Sequence, residues 1–446
     1  MQWPNRGDAA GQRLKPMRIL VVSNLYPPRH VGGYELCCKE AVDGLTKRGH
    51  EVCVLTSTFG VKKPLEEGRI LRWLQVDIGR EESPFRGSVL DVLSCTIDAF
   101  KREWRNFRAF RRASKMFKPD LVYLWNLTHI SVSVGMQAQR AGLPTCYYIG
   151  DLWLSNWRSD RWVSLGAEWL PAANLRLVQL ARGAARLAAR VAGMPPLGVL
   201  DLRHVQFASA YLKNETLKAG EPVANADVLH WGVQIQKFPF KMHSNVPSRL
   251  LFVGQVIYHK GLDTAVEALQ LLVQKEGCES LKLTIVGGSV FPEYVAQLRA
   301  KVTSLGLDEN VEFVGPVPQE QLPQLYRQHD ILLFPSLIDE GLGMSLLEAM
   351  ASGLVVLGTA SGGTGEILIH ERTGLVFAKG DAHGCGGHVL RLRGDQVLFE
   401  NLRRTGRRSV EEYFEMGRLM DDLERSVQSA QASRGVVART SMFRSV

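Results

Sequence analysis

Short apolar runs rich in Val, Ile and Leu alternate with helical stretches along this chain, and the alternation starts afresh near residue 248. The first set opens with "MRILVVSNLYPP" (17–28) and continues through "GGYELCCKEAVDGLTKRGHEVCVLTS" (32–57) as glycine turn, helix, turn and second strand. Further strands are expected in "KPDLVYLWN" (118–126) and "LPTCYYIGD" (143–151), and a strand followed by a helix in "RHVQFASAYLKNETLKAG" (203–220). The second set runs from "SRLLFVGQVIYHKGLDTAVEALQLL" (248–272) through "LKLTIVGG" (281–288), "NVEFVGPV" (310–317), "DILLFPS" (330–336) and "GLVVLGT" (353–359). Runs that are apolar on both faces suit parallel strands covered by helices on each side. Two such sets predict an α/β fold of two doubly wound, Rossmann-like domains, and 446 residues exceed what one core organises. The domains are expected over 17–233 and 234–411, with a flexible N-terminus at 1–16 and a flexible tail at 431–446. Ligands of such sheets bind beyond the carboxyl ends of the strands, so the cleft between the domains is the expected site.

Composition narrows the function classes. The seven cysteines are scattered without a CxxC pair, which argues against a zinc site or a disulfide framework and for a reducing compartment. No apolar stretch in residues 1–16 reads as a leader, and no run approaches the roughly 20 apolar residues of a membrane helix, so a cytoplasmic protein is expected. The first strand is not followed by a GxGxxG fingerprint, which disfavours an NAD-dependent dehydrogenase.

The stretch "FPSLIDEGLGMSLLEAM" (334–350) carries the densest chemical signal. A buried strand delivers Glu340 and the loop Gly341-Leu342-Gly343 to its carboxyl end, and a helix starts near Met344 or Ser345. Free N–H groups and the helix dipole make such a start an anion site, and glycines let a phosphate approach the backbone. Carboxylates do not bind phosphate but accept hydrogen bonds from vicinal hydroxyls. A diphosphate flanked by two polyols fits both features, and nucleotide sugars have that layout, with Glu340 on sugar hydroxyls and Glu348 on the ribose diol. The competing reading of Glu348 is a capping box, Ser345-x-x-Glu348, in which the glutamate only satisfies a helix-end amide.

"FPSLIDEGLGMSLLEAMASGLVVLGT" together with "GGTGEILIHERTGLVF" (362–377) closely resembles the donor half of GT-B glycosyltransferases of family 4, including their two glutamates separated by seven residues. The resemblance extends over nearly all of 17–425. It implies a GT-B fold and a retaining hexosyltransferase that moves sugar from a nucleotide diphosphate sugar to an acceptor hydroxyl, in polysaccharide or glycolipid assembly. It also implies a C-terminal helix over 412–430 that crosses back onto the first domain. "NLYPPRHVGGYE" (24–35) is similar to the family loop whose amides approach the diphosphate, which marks Gly32 and Gly33; read alone, these are an ordinary βα turn. "FVGQVIYHKGLD" (252–263) resembles the segment in which an Arg and a Lys neutralise the diphosphate; Lys260 falls on the Lys position and Gln255 replaces the Arg. "NVEFVGPV" matches the strand that meets the nucleobase near Val314 and Gly315. In "YYIGDLWLSNW" (147–157), Gly150 stands where many relatives have histidine, and Asp151 holds a donor hydroxyl, orients the acceptor, or caps the next segment.

The catalytic candidates are therefore Glu340, Lys260 and Asp151, with the amides of Gly341 to Met344 on the leaving group. No cofactor or metal is expected, and a UDP-sugar is expected ahead of a GDP-sugar as donor. The rival readings are a non-catalytic sugar-nucleotide-binding protein and a sugar-nucleotide epimerase of the same fold. His129, His230 and His259 have no metal spacing and either line the cleft or are structural.

Two basic stretches remain. "KREWRNFRAFRRASKMFK" (101–118) has eight Lys/Arg and one acid, Glu103, with Phe100, Trp104, Phe107 and Phe110 at helical spacing. Its aromatics read as a core-facing side, and its charge suits anionic lipid headgroups or a lipid-linked acceptor. "NLRLVQLARGAARLAARVAG" (174–193) has no acid, and with Trp153, Trp157, Trp162 and Trp169 nearby it forms the segment where a glycan or lipid-linked acceptor is expected. Nucleic acid is not an expected partner, because no recognition motif accompanies the charge.

Overall fold

The computed structural model describes residues 15–78, 89–164, 175–194, 198–242, 246–275 and 278–433. The expectations for 1–14 and 434–446, and the side chains of Trp169 and Arg182, lie outside the described residues.

The chain divides into two compact units. Of the described residues, the N-terminal unit holds those up to Phe207, Leu212–Leu229 and those from Met420, and the C-terminal unit holds Ala208–Tyr211 and His230–Leu419. In chain order the first part comprises β1 (Arg18–Val22), α1 (Gly33–Lys47), β2 (Glu51–Ser57), β3 (Leu65–Glu67), β4 (Ile70–Leu74) and α2 (Val89–Phe117). It continues with β5 (Leu121–Leu124), α3 (Ser133–Arg140), β6 (Thr145–Ile149), α4 (Arg161–Ser164), α5 (Leu175–Val191), β7 (Val205–Phe207), α6 (Ala210–Lys218) and β8 (Asp227–Val228). The eight strands form one sheet in the order β3-β4-β2-β1-β5-β6-β7-β8, parallel throughout except for the β3–β4 pair.

The second part comprises β9 (Arg249–Val253), α7 (Leu262–Val273), β10 (Lys282–Val286), α8 (Pro292–Ser304), β11 (Val311–Gly315), α9 (Leu322–Gln328) and β12 (Ile331–Phe334). Then come α10 (Met344–Ser352), β13 (Val355–Gly358), β14 (Gly374–Val376), α11 (Ala382–Gly394), α12 (Gln396–Tyr413) and α13 (Met416–Ala432). Its six strands are all parallel, in the order β11-β10-β9-β12-β13-β14. Alternate residues of β12 serve opposite cores: Ile331 and Leu333 join one cluster, Leu332 and Phe334 the other. Both sheet faces are thus covered, which is why "DILLF" is apolar without alternation.

The structure adds short strands that the sequence reading omits, namely β3, β4, β8 and β14, all toward the sheet edges. It also breaks the helix expected over 412–430. The ladder ends at Tyr413, Val233 N–H donates to Phe414 O at 2.7 Å and Met416 N–H to Val233 O at 3.1 Å, and α13 starts afresh. Gly232 makes this bridge possible, because a Cβ there would stand 2.9 Å from Met416 Cα. From Met420 onward α13 belongs to the N-terminal unit, where Glu424 accepts from Arg48 at 2.8 Å and from His50 Nε2 at 3.0 Å.

Candidate active site

In the C-terminal unit, strand ends and glycines bring two distant segments into contact. After β9 the chain makes one 3-10 turn, Tyr258–Lys260, and leaves it through Gly261 at φ 70°. Only glycine fits there: besides the left-handed backbone, a Cβ would lie 1.9 Å from Pro335 O. This close crossing sets Lys260 against the loop after β12. Lys260 Nζ lies 2.6 Å from Glu340 Oε1, and the same oxygen accepts from Ser336 Oγ at 2.6 Å. The pair is largely shielded, with side chains 21% and 13% exposed. The sequence motifs place Lys260 and Glu340 on different parts of a ligand; in the structure they are each other's partner. Ser336, not among the expected site residues, is the third member.

The glycine loop is held by backbone packing. Glu340 bridges to Gly362 in parallel fashion, and Gly363 N–H donates to Glu340 O at 2.7 Å. A Cβ on Gly363 would stand 2.0 Å from Gly341 O, so "GGTG" is glycine-rich to let two chains touch. The loop then ends in α10, whose cap is Gly343, with Leu342 and Met344 packed on the core. Glu366, at the end of the same turn, accepts from the amides of Ala210 and Tyr211 at 2.9 and 2.8 Å and pairs with His230 at 2.7 Å. His230 is thereby structural.

The capping-box reading of Glu348 is corrected. The cap of α10 is Gly343, so Ser345 is the second helical residue and cannot serve as the cap. Glu348 is instead buried, and its Oε2 accepts from the fully buried Tyr326 hydroxyl at 2.7 Å. Tyr326 was not anticipated; it comes from α9 and has no local relation to the motif.

The remaining C-terminal candidates lie at the carboxyl ends of β9 and β11. Gln255 follows β9, half-buried, with its carbonyl accepting from Ile257 N–H at 3.1 Å. Val314 is 39% exposed, and Gly315, at φ 81°, accepts through its carbonyl from Gly287 N–H at 2.9 Å. His259 has its pKa lowered by burial and by the Lys260 charge.

Three candidates belong to the N-terminal unit. Gly32 caps α1 and donates its N–H to Glu35 Oε2 at 2.9 Å, while Gly33 is the first helical residue. The Gly32 amide is thus taken by a carboxylate in this structure. Asp151 follows β6, accepting from Asn126 Nδ2 at 3.1 Å and Trp153 N–H at 2.9 Å. Burial, reinforced by the Glu35 charge, pushes its pKa up to about 6. Gly150 has a physical reason to lack a side chain, since a Cβ would lie 2.7 Å from the Tyr34 ring. Tyr34 is anchored there by donating its hydroxyl to Tyr148 O.

The described tryptophans of the expected acceptor segment are part of the packing. Trp153, Trp157 and Trp162 are buried, and Trp157 Nε1 donates to Glu221 at 2.8 Å.

Two Rossmann-like domains of this kind make a GT-B protein. "Glycosyl transferases group 1" matches residues 235–409, and "Glycosyl transferase 4-like domain" matches residues 32–200. The chain belongs to the family-4-like GT-B glycosyltransferases. It is 32% identical over 187 residues to the amylovoran biosynthesis glycosyltransferase AmsK of Erwinia amylovora, covering 40% of this chain and 45% of that protein. It is 29% identical over 350 residues to the D-inositol 3-phosphate glycosyltransferase of Jonesia denitrificans, covering 68% and 82%. Among solved structures, Anabaena Alr3699/HepE in complex with UDP-glucose is similar in fold, with TM-score 0.61, 17% identity, and coverage of 93% of this chain and 100% of that one.

Proposed function

We propose that the protein is a retaining hexosyltransferase that uses a UDP-sugar to extend a glycan or lipid-linked acceptor during polysaccharide or glycolipid assembly. The observation that carries this reading is the Lys260–Glu340 contact beside the glycine start of α10. It joins a cation suited to a diphosphate with a carboxylate suited to sugar hydroxyls at one strand edge. The UDP-glucose complex of HepE supports the choice of donor, and the similarity to AmsK, a glycosyltransferase of amylovoran biosynthesis, supports the setting.

In this reading the C-terminal unit takes the donor. Val314 and Gly315 meet the base, Glu348 the ribose diol, and Lys260, Gln255 and the amides of Gly341, Leu342, Gly343 and Met344 the diphosphate. The bond from the sugar C1 to the diphosphate oxygen breaks, and the acceptor oxygen bonds to C1 on the same face. The acceptor proton passes to the departing phosphate. Charge develops on the diphosphate, where Lys260 and the helix N-terminus stabilise it. Gln255 brings a hydrogen bond without charge, so Lys260 carries a larger share. Glu340 holds the transferring sugar. Because these groups balance the leaving charge, no metal or other cofactor is invoked. The N-terminal unit takes the acceptor, with Asp151 binding one of its hydroxyls. The enzyme works at the cytoplasmic face of an anionic membrane.

Thermal stabilisation by a panel of UDP-, GDP- and ADP-sugars, followed by product analysis with the stabilising donor, tests the proposal. Donor-dependent stabilisation with slow donor hydrolysis to the α-configured sugar is expected. Epimerised donor without acceptor, or binding without any turnover, would refute it.

A further inference from the structure

Helix α5 exposes large apolar side chains on one side. Among its described side chains Ala185 and Ala189 are buried, in one cluster with Phe107 of α2 and Trp162, while Leu180, Leu187 and Val191 are exposed. Leu180 is 70% exposed, Leu187 62% and Val191 84%. Their spacing of seven and four residues puts all three on one stripe, opposite the two alanines. Arg176, Arg186 and Arg190 are exposed beside this stripe, and residues 175–191 contain no acid. Such a helix, basic and apolar on one exposed side, matches the interfacial layer of an anionic bilayer in both charge and polarity.

Helix α2 adds charge but no insertion. Phe107 and Phe110 are buried, and the aromatic side that could have entered lipid is spent on packing. Several of its cations are also engaged: Arg102 with Asp77 at 2.6 Å, and Arg112 with Glu66 at 3.4 Å and over the Trp73 ring. Among the described residues no helix is long and apolar enough to cross a membrane, so contact has to be from one side.

We propose that α5 is the membrane-docking element: Leu180, Leu187 and Val191 enter the acyl boundary of an anionic bilayer while Arg176, Arg186 and Arg190 engage its headgroups. This deepens the membrane setting of the proposed function but is measured without donor or acceptor, so either reading can fail alone.

The test is co-sedimentation of the full chain with vesicles of phosphatidylcholine alone or with 30% phosphatidylglycerol. Wild type is expected on the anionic vesicles. Leu180→Ser with Leu187→Ser should weaken binding at least tenfold, from about 1.4 kcal/mol per decade and about 1.5 kcal/mol or more per leucine. Arg176→Gln with Arg186→Gln and Arg190→Gln should weaken it and lessen its salt dependence. A polarity-sensitive dye attached to the thiol of Leu187→Cys should shift to the blue only with anionic vesicles. The substituted positions are exposed, and unchanged melting temperatures verify folding. Equal binding of wild type and the leucine variant overturns the proposal. So does a concentration-dependent dimer that the leucine variant abolishes, which assigns the stripe to a second copy.

Discussion

Replacing Glu340 by Gln should tighten nucleotide binding while impairing transfer. In the structure Lys260 is held by Glu340 at 2.6 Å, so a diphosphate that recruits Lys260 has to draw it from an existing partner. A hydrogen bond to a charged group is worth roughly 1.5–3 kcal/mol and a neutral one about 0.5–1.5 kcal/mol. The pair is shielded rather than surface-exposed, with side chains 21% and 13% exposed, so solvent screening removes only part of that difference. Glu340→Gln keeps an acceptor for Lys260 and Ser336 but releases about 1 kcal/mol of competition. Free UDP should then bind about fivefold more tightly, as titration calorimetry would show. Turnover with a UDP-sugar should fall at least tenfold, because the charge-assisted bond to the transferring sugar is lost. In Lys260→Ala the gain in UDP affinity from Glu340→Gln should shrink, since no cation remains to be released. Unchanged or weaker UDP binding by Glu340→Gln would show that Lys260 does not change partners, and the argument would fail.

Glu348→Gln should lower UDP affinity about tenfold with little change in melting temperature, while Tyr326→Phe should cost about 1–3 kcal/mol in urea unfolding by withdrawing a donor from a buried carboxylate. Equal UDP affinity in wild type and Glu348→Gln would remove Glu348 from the site. Gly150→Ala should destabilise by about 1–3 kcal/mol through the Tyr34 ring, and Tyr34→Ala in the same chain should recover part of it; an unshifted melting curve for Gly150→Ala would contradict the packing. Asp151, with its pKa raised from 3.8 to about 6, is favoured by folding in its neutral form. Its contribution is therefore lost as pH rises through that window, and Asp151→Asn should gain up to about 3 kcal/mol over wild type between pH 4 and 7. A difference independent of pH would reject the shifted carboxyl.

What the sequence revealed followed the range of its interactions. The strand-loop-helix unit around Glu340 was legible because apolar run, glycine loop and helix start are contiguous, and each rests on local conformational preference. The edge strands β3, β4, β8 and β14 were not singled out, since most are short and the edge position does not demand a long apolar run. The interruption at Phe414 depends on Val233, and the partner of Glu348 comes from another helix, so neither has a signature within its own stretch. Gly150 is the sharpest case. Compared with relatives it reads as a missing histidine, a loss from the site. In the fold its space is filled by a ring whose hydroxyl is bound at Tyr148, 114 residues away. A side chain at 150 has to displace the Tyr34 ring, so the two positions are sterically coupled, and the packing supplies a reason for glycine there that is independent of catalysis.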